Sequence, residues 1–192
     1  MNPLIIGIAG GSGCGKSTFA KSLEKALINY KTKRIKMDDY YYYGHLPQMT
    51  SPVTQCLDAD WNHPDSIDFK KPLNLIKTLK EERSNDVIIV EGAFLYCYDE
   101  MLPFFDLKVF IDLDADTRMY RRIKRNTNNF KGQEGESNVD FQFEYYLNFA
   151  KFQEQKYSLP SKIYADIILN GNKLDGAALD VLVAWIQANA NI

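Results

Sequence analysis

The segment Gly10-Gly11-Ser12-Gly13-Cys14-Gly15-Lys16-Ser17, followed by Thr18, is the most informative in the chain. Its glycines let successive backbone N–H groups curl around an anion without Cβ clashes. The apolar run Leu4 to Ala9 before it reads as a buried strand. Ser17 to Tyr30 after it carries Phe19, Leu23, Ala26 and Leu27 at helical spacing. A helix starting near Lys16 brings the positive end of its dipole to the loop. Strand, G-x-x-x-x-G-K-[ST] and helix together predict a phosphate-binding loop for ATP, formed by Gly10 to Thr18. Lys16 is then expected on the β and γ phosphates and Ser17 on Mg²⁺. Cys14 is read as a small loop filler, not a nucleophile.

Beyond the loop, strands and helices alternate. Arg34 to Met37, Val87 to Val90, Leu107 to Leu113 and Tyr164 to Leu169 read as further strands. Phe69 to Arg83, Asp116 to Arg125, Phe141 to Tyr157 and Gly176 to Asn189 read as helices. The Val87 to Val90 run is β-branched without alternation, so both its faces are expected to be covered. The predicted fold is α/β: a P-loop NTPase with a five-stranded parallel sheet and helices on both faces. A single domain over residues 1–192 is expected, with no repeat or linker. Asp38 to Asp65 is a long polar and aromatic stretch with three prolines, and a loop of that length in a compact domain is usually functional. Asn126 to Val139 is almost devoid of apolar residues and predicts a small mobile lid.

Composition excludes several classes. A formal charge of −2 with dispersed basic residues argues against a nucleic-acid partner. No run reaches the roughly 18 apolar residues needed to span a membrane, and no secretory leader is evident. Cys14, Cys56 and Cys97 are an odd, widely spaced set, which fits a reducing cytoplasm better than disulfides or a zinc site. A homo-oligomer is compatible with the sequence.

In parallel sheets ligands bind beyond the carboxyl ends of the strands. Asp38 and Asp39 follow the second strand there, and Glu91 follows the third. A kinase needs a carboxylate to orient the acceptor hydroxyl and take its proton. Asp38 is assigned that role, and Glu91 joins Ser17 and Asp38 on the magnesium side, since Mg²⁺ prefers oxygen donors. Asp39 reads as a turn cap. Gly92 is expected to let the backbone approach the acceptor closely.

Met37-Asp38-Asp39-Tyr40-Tyr41, His63-Pro64-Asp65-Ser66-Ile67-Asp68, Val90-Glu91-Gly92, Asp112-Leu113-Asp114-Ala115-Asp116-Thr117-Arg118 and Pro160-Ser161-Lys162-Ile163-Tyr164-Ala165-Asp166 complete a pattern. In order and spacing it resembles the uridine kinases, which group with phosphoribulokinases and nicotinamide riboside kinases. The resemblance covers Leu4 to Leu169. It implies a kinase that phosphorylates the 5′-hydroxyl of a nucleoside, first uridine or cytidine, with ATP and Mg²⁺. It makes Asp38 the catalytic aspartate and sets Tyr41 near the nucleoside. Asn62 falls where the family carries an aspartate for the ribose hydroxyls, with Asp60 as a substitute two residues away. Arg122 and Arg125 match arginines that reach the ribose and phosphates, a task that suits the planar guanidinium. Two departures bear on the base. Arg83-Ser84-Asn85-Asp86 leaves no room for the family's recognition hairpin, as in nicotinamide riboside kinases. The family's lid arginines are also not kept, with Lys131 the substitute for one.

Other residues have plainer readings. Arg121 reads as a solvated helix position. His63 is expected to fix its loop, and Trp61 to line the acceptor pocket or anchor that loop. Phe141, Phe143, Tyr145, Tyr146 and Phe149 read as core. Two other functions compete with the kinase. Asn172-Lys173-Leu174-Asp175 reads N-K-x-D, the guanine-selecting motif of GTP-binding switches, although Glu91-Gly92-Ala93-Phe94 lacks the companion D-x-x-G. A nucleotide-binding homologue without catalysis would explain the altered lid.

Overall fold

A computed structural model describes residues 2–129 and 138–190. Its strands are β1 (Leu4–Ala9), β2 (Thr32–Lys36), β3 (Gln48–Thr50), β4 (Leu57–Ala59), β5 (Val87–Glu91), β6 (Leu107–Asp112) and β7 (Ile167–Asn170). Five of them form one all-parallel sheet in the order β2-β5-β1-β6-β7. The helices are α1 (Lys16–Ala26), α2 (Lys70–Glu82), α3 (Ala115–Asn129), α4 (Val139–Tyr145), α5 (Lys151–Gln153) and α6 (Ala177–Asn189).

The apolar strands bury both faces, which is why they lack alternation. From β1, β5 and β6, Ile5, Ile88, Val90 and Phe110 pack with Leu73 and Ile76 of α2. Ile6, Ile8, Val87, Ile89, Val109 and Ile111 pack on the other face with Phe19 and Leu23 of α1 and Leu182 and Ile186 of α6. Full burial of one such side chain is worth roughly 1.5–3 kcal/mol, so the central strands anchor the loops at their carboxyl ends.

Four expectations are revised. β2 ends at Lys36, because Met37–Tyr40 turns into a 3₁₀ helix. The last strand starts at Ile167, because Pro160–Tyr164 forms another 3₁₀ turn. The stretch 38–65 contains the antiparallel hairpin β3–β4, whose three-residue strands are too short to show a period. The segment Asn126 to Val139, expected as a lid, has helix at both ends: α3 runs through Asn129 and α4 starts at Val139. Asn126 Nδ2 donates to Gln142 Oε1 at 2.9 Å, tying the two helices together. The rest of that segment, with Lys131, lies outside the described residues.

From α4 to α5 and on to Ser158 the chain stays helical, with π-helical turns at Tyr146–Ala150 and Glu154–Ser158. Such wide turns are frequent at functional sites.

Candidate active site

The phosphate loop joins β1 to α1. Gly13 and Gly15 have φ of 85° and 106°, a region that L side chains rarely adopt. A Cβ on Gly13 would also stand 2.4 Å from the backbone oxygen of Arg118. Gly15 precedes α1 without a side-chain cap, so no side chain of that residue competes for the first amides of the helix. Lys16 Nζ donates to Gly10 O at 2.8 Å and Gly11 O at 3.1 Å, which holds its ammonium across the loop. Cys14 is fully buried in the α1-side core, as a filler should be.

Ser17 Oγ donates to Glu91 Oε2 at 2.6 Å. Glu91 is 3% exposed, and burial raises its pKa against the opposing pull of Ser17, Lys16 and Arg34. Its Oε1 is buried with no hydrogen bond, and Arg34 Nη1 stands 3.6 Å away. Among the described residues no cluster of three His, Cys, Asp or Glu side chains forms a closed metal cage. The donor set is therefore a hydroxyl, a carboxylate with one oxygen free of hydrogen bonds and neighbouring Asp38. That set suits Mg²⁺, which takes one or two protein oxygens and fills the rest with water and phosphate.

The loop opens into a cleft of roughly 870 Å³. Its walls include Asp38, Tyr41, Trp61, Asn62, Phe94 and Arg122. They also include Thr18, Ser22, Arg121, Asn172, Leu174 and Asp175, with Ser12, Lys16, Ser17 and Arg125. Asp38 sits in the 3₁₀ turn after β2 and is exposed to the cleft. The Tyr41 hydroxyl has its pKa raised by burial and by Asp38, with Arg122 and Arg125 opposing, so all four groups are within electrostatic reach. Trp61 lies beside Tyr41, ring centroids 5.8 Å apart, and is a pocket wall. Tyr43 points to solvent, 87% exposed.

Asn62 lies on the cleft with its amide held on both sides. Its Oδ1 accepts from Arg122 Nη2 at 3.0 Å, and its Nδ2 donates to Tyr145 Oη at 3.1 Å. Asp60 does not share that position. It is 1% exposed, Oδ1 accepts from the Asn62 backbone N–H at 2.9 Å, and Oδ2 accepts from Gln153 Nε2. Both oxygens are engaged inside the wall, so the substitution of Asp60 for Asn62 at a ribose is corrected: Asp60 shapes the loop. Gly92 is corrected too. A Cβ there would meet Met37 Cγ at 2.5 Å, so the glycine serves packing behind the cleft. His63 fixes its loop as expected, accepting from Asp65 N at 3.1 Å and bonding Tyr157 Oη at 2.7 Å.

Arg122 is 9% exposed, and its Nη1 has no hydrogen-bond partner among the described residues. Arg125 reaches Ser12 Oγ at 3.4 Å, its pKa lowered by partial burial and by Arg122. Several residues escaped the sequence reading. Arg121 is no solvated position: it donates to Gly171 O and Asn172 Oδ1, both at 3.2 Å, and lines the cleft. Arg118 and Glu154 form a buried pair beneath the loop. The Arg118, Arg122, Arg125 spacing of one helix face was the available signal for Arg118. Tyr145, read as core, is half-buried and accepts from Asn62 of the cleft wall. Phe141 and Phe143 are 46% and 40% exposed, whereas Tyr146 and Phe149 are buried as expected.

The sheet order, the glycine loop before α1 and the carboxylate at the end of β5 define a P-loop NTPase fold. Phosphoribulokinase from Rhodobacter spheroides shares this fold, with a TM-score of 0.60 at 12% identity over 87% of this chain and 69% of that one. The family described as "AAA domain" matches residues 6–142. Uridine kinase of Staphylococcus haemolyticus is 32% identical over 97% of this chain and 96% of its own. Uridine kinase of Bacillus pumilus is 31% identical over 96% and 94%. The chain belongs to the uridine kinase family of P-loop proteins.

Proposed function

We propose that the protein transfers the γ-phosphoryl group of ATP to the 5′-hydroxyl of a nucleoside, with uridine or cytidine as the first acceptor. The observation that carries this reading is the single cleft shared by Asp38, the phosphate loop, Arg122 and Arg125. The loop amides and Lys16 hold the triphosphate. Asp38 orients the acceptor hydroxyl and accepts its proton as the new O–P bond forms and the β,γ-bridging bond breaks, releasing ADP. Lys16, Arg122 and Arg125 offset charge on the equatorial phosphoryl oxygens. Bound magnesium, for which Ser17, Glu91 and Asp38 are the holding residues, supplies further charge neutralisation there. Tyr41, Trp61 and Asn62 wall the acceptor. The whole chain works as one domain in this reading.

The base is read less directly. α2 ends at Glu82 and β5 begins at Val87, so four residues join them and no recognition hairpin intervenes. This short connection favours nicotinamide riboside as the second acceptor to test. Asn172, Leu174 and Asp175 of the N-K-x-D run line the same cleft, so GTP belongs beside ATP as a donor to test.

The experiment is a turnover comparison with purified protein, magnesium, ATP or GTP, and each nucleoside. A nucleoside monophosphate from uridine or cytidine is the expected product. Failure of both pyrimidine nucleosides and of nicotinamide riboside would overturn the reading. Nucleotide binding without turnover would identify a silent homologue instead.

A further inference from the structure

Glu154 is a buried carboxylate on the cleft wall that the reaction above does not use. It is 3% exposed and stands at the start of the second π-helical turn. Oε1 accepts from the Ser12 backbone N–H at 3.0 Å, across 142 residues of chain. Oε2 accepts from Arg118 Nη1 at 2.5 Å, and Arg122 Nη1 lies 3.8 Å from Oε1. Arg118 is itself 3% exposed and donates from Nε to Leu113 O at 3.0 Å. It passes so close under the loop that a Cβ on Gly11 would stand 2.4 Å from its Nη1.

We infer that Glu154 is a positioning residue for phosphoryl transfer, its carboxylate locking the tip of the phosphate loop to the arginine face of α3. The inference rests on the kinase reading. A buried ion pair is weak evidence for stability, because desolvation cancels much of the attraction. A negative charge on the wall of a triphosphate cleft also weakens nucleotide binding. What the carboxylate gains is geometry. It takes the Ser12 amide, fixing the loop tip, and it satisfies Arg118 at close range. Arg122, farther away and without a hydrogen bond from Nη1, keeps charge for the cleft. Gln153, the preceding residue, bonds Asp60 of the acceptor loop, so one turn of helix registers the acceptor wall against the phosphate loop. Small misplacement of reacting groups costs large factors in rate.

The test separates rate from binding. Glu154→Gln keeps an acceptor for the Ser12 amide but removes the charge that holds Arg118 and faces Arg122. Its kcat is expected to fall about 10-fold or more, as for misplaced reacting groups. MgADP affinity by calorimetry should tighten about threefold, because a like charge has left the phosphate site. Glu154→Asp restores the charge and should return MgADP affinity toward the parent value. A merely structural role predicts weaker binding and slower turnover together, and that result overturns the inference. So does a kcat within about twofold of the parent. Should Glu154→Gln fail to fold, the Arg118→Met/Glu154→Met pair replaces the ions by apolar groups of similar bulk, a change that buried pairs tolerate. It must show the same loss of kcat; full kcat overturns the inference. A parent chain that phosphorylates none of the nucleosides ends the kinase reading alone. Glu154 is then judged on MgADP affinity, tighter in Glu154→Gln supporting it and equal or weaker overturning it.

Discussion

Glu91 and Asp38 stand near each other in opposite environments. Glu91 is buried and its pKa is raised chiefly by that burial, whereas Asp38 lies open to the cleft. A carboxyl whose folded pKa exceeds its unfolded value favours the fold while protonated, and that contribution is lost as pH rises through the folded pKa. Glu91→Gln, in magnesium-free buffer, should therefore match or exceed the parent in thermal stability at pH 7. The gap should close toward pH 4, where the parent carboxyl is protonated. Melting curves across that range check the sign, and a gap that widens on acidification would refute it. The same variant should lose magnesium-dependent turnover, because the carboxylate beside Ser17 is gone. Asp38→Ala carries the complementary expectation. Removal of a positioned general base costs about 10²–10⁴ in kcat. ATP affinity, which rests on the loop, should stay within a few-fold by calorimetry. Unchanged turnover would remove Asp38 from the mechanism.

The phosphate loop and the helical run from α4 to Ser158 are the elements that build the cleft. Gly13 in the loop combines a φ of 85° with a would-be Cβ clash of 2.4 Å against backbone. Gly13→Ala should cost about 1–3 kcal/mol of stability, as for other strained backbone positions. It should also abolish detectable ATP binding, since loop and Arg118 must separate. Wild-type affinity in that variant would show that the loop is looser than its packing implies. The helical run makes its contacts through Tyr145 to Asn62, Gln153 to Asp60, Glu154 to Ser12 and Tyr157 to His63. Two π-helical turns lie within this run. Its contacts go to partners far along the chain, so aromatic spacing predicted a core helix and overlooked its part in the site.

At the scale of the whole molecule, nucleotide binding and folding are linked, because the loop amides converge only when β1, α1 and α3 are assembled. MgATP at about 100 times its Kd should add about 2.7 kcal/mol to stability. A thermal shift is expected in the parent and in Asp38→Ala, and it should be absent from Lys16→Ala; an equal shift in all three would disconnect binding from the loop. Described residues 2–129 and 138–190 contain no helix long and apolar enough to cross a membrane. The glycine loop, the doubly buried strands and the arginine-bearing helix were legible in the chain because each is a local pattern. A glycine must stand where φ is positive, and a strand covered on both faces must be apolar throughout. The same local logic located Asp38, Glu91 and the Ser17 hydroxyl at strand and loop ends. Tertiary structure alone assigned Asp60 to the wall, Arg121 to the cleft and Glu154 to the loop tip. Those roles depend on partners as much as 142 residues away. A charged or amide side chain reads alike in sequence whether it faces water or a buried partner, and only packing chooses between them.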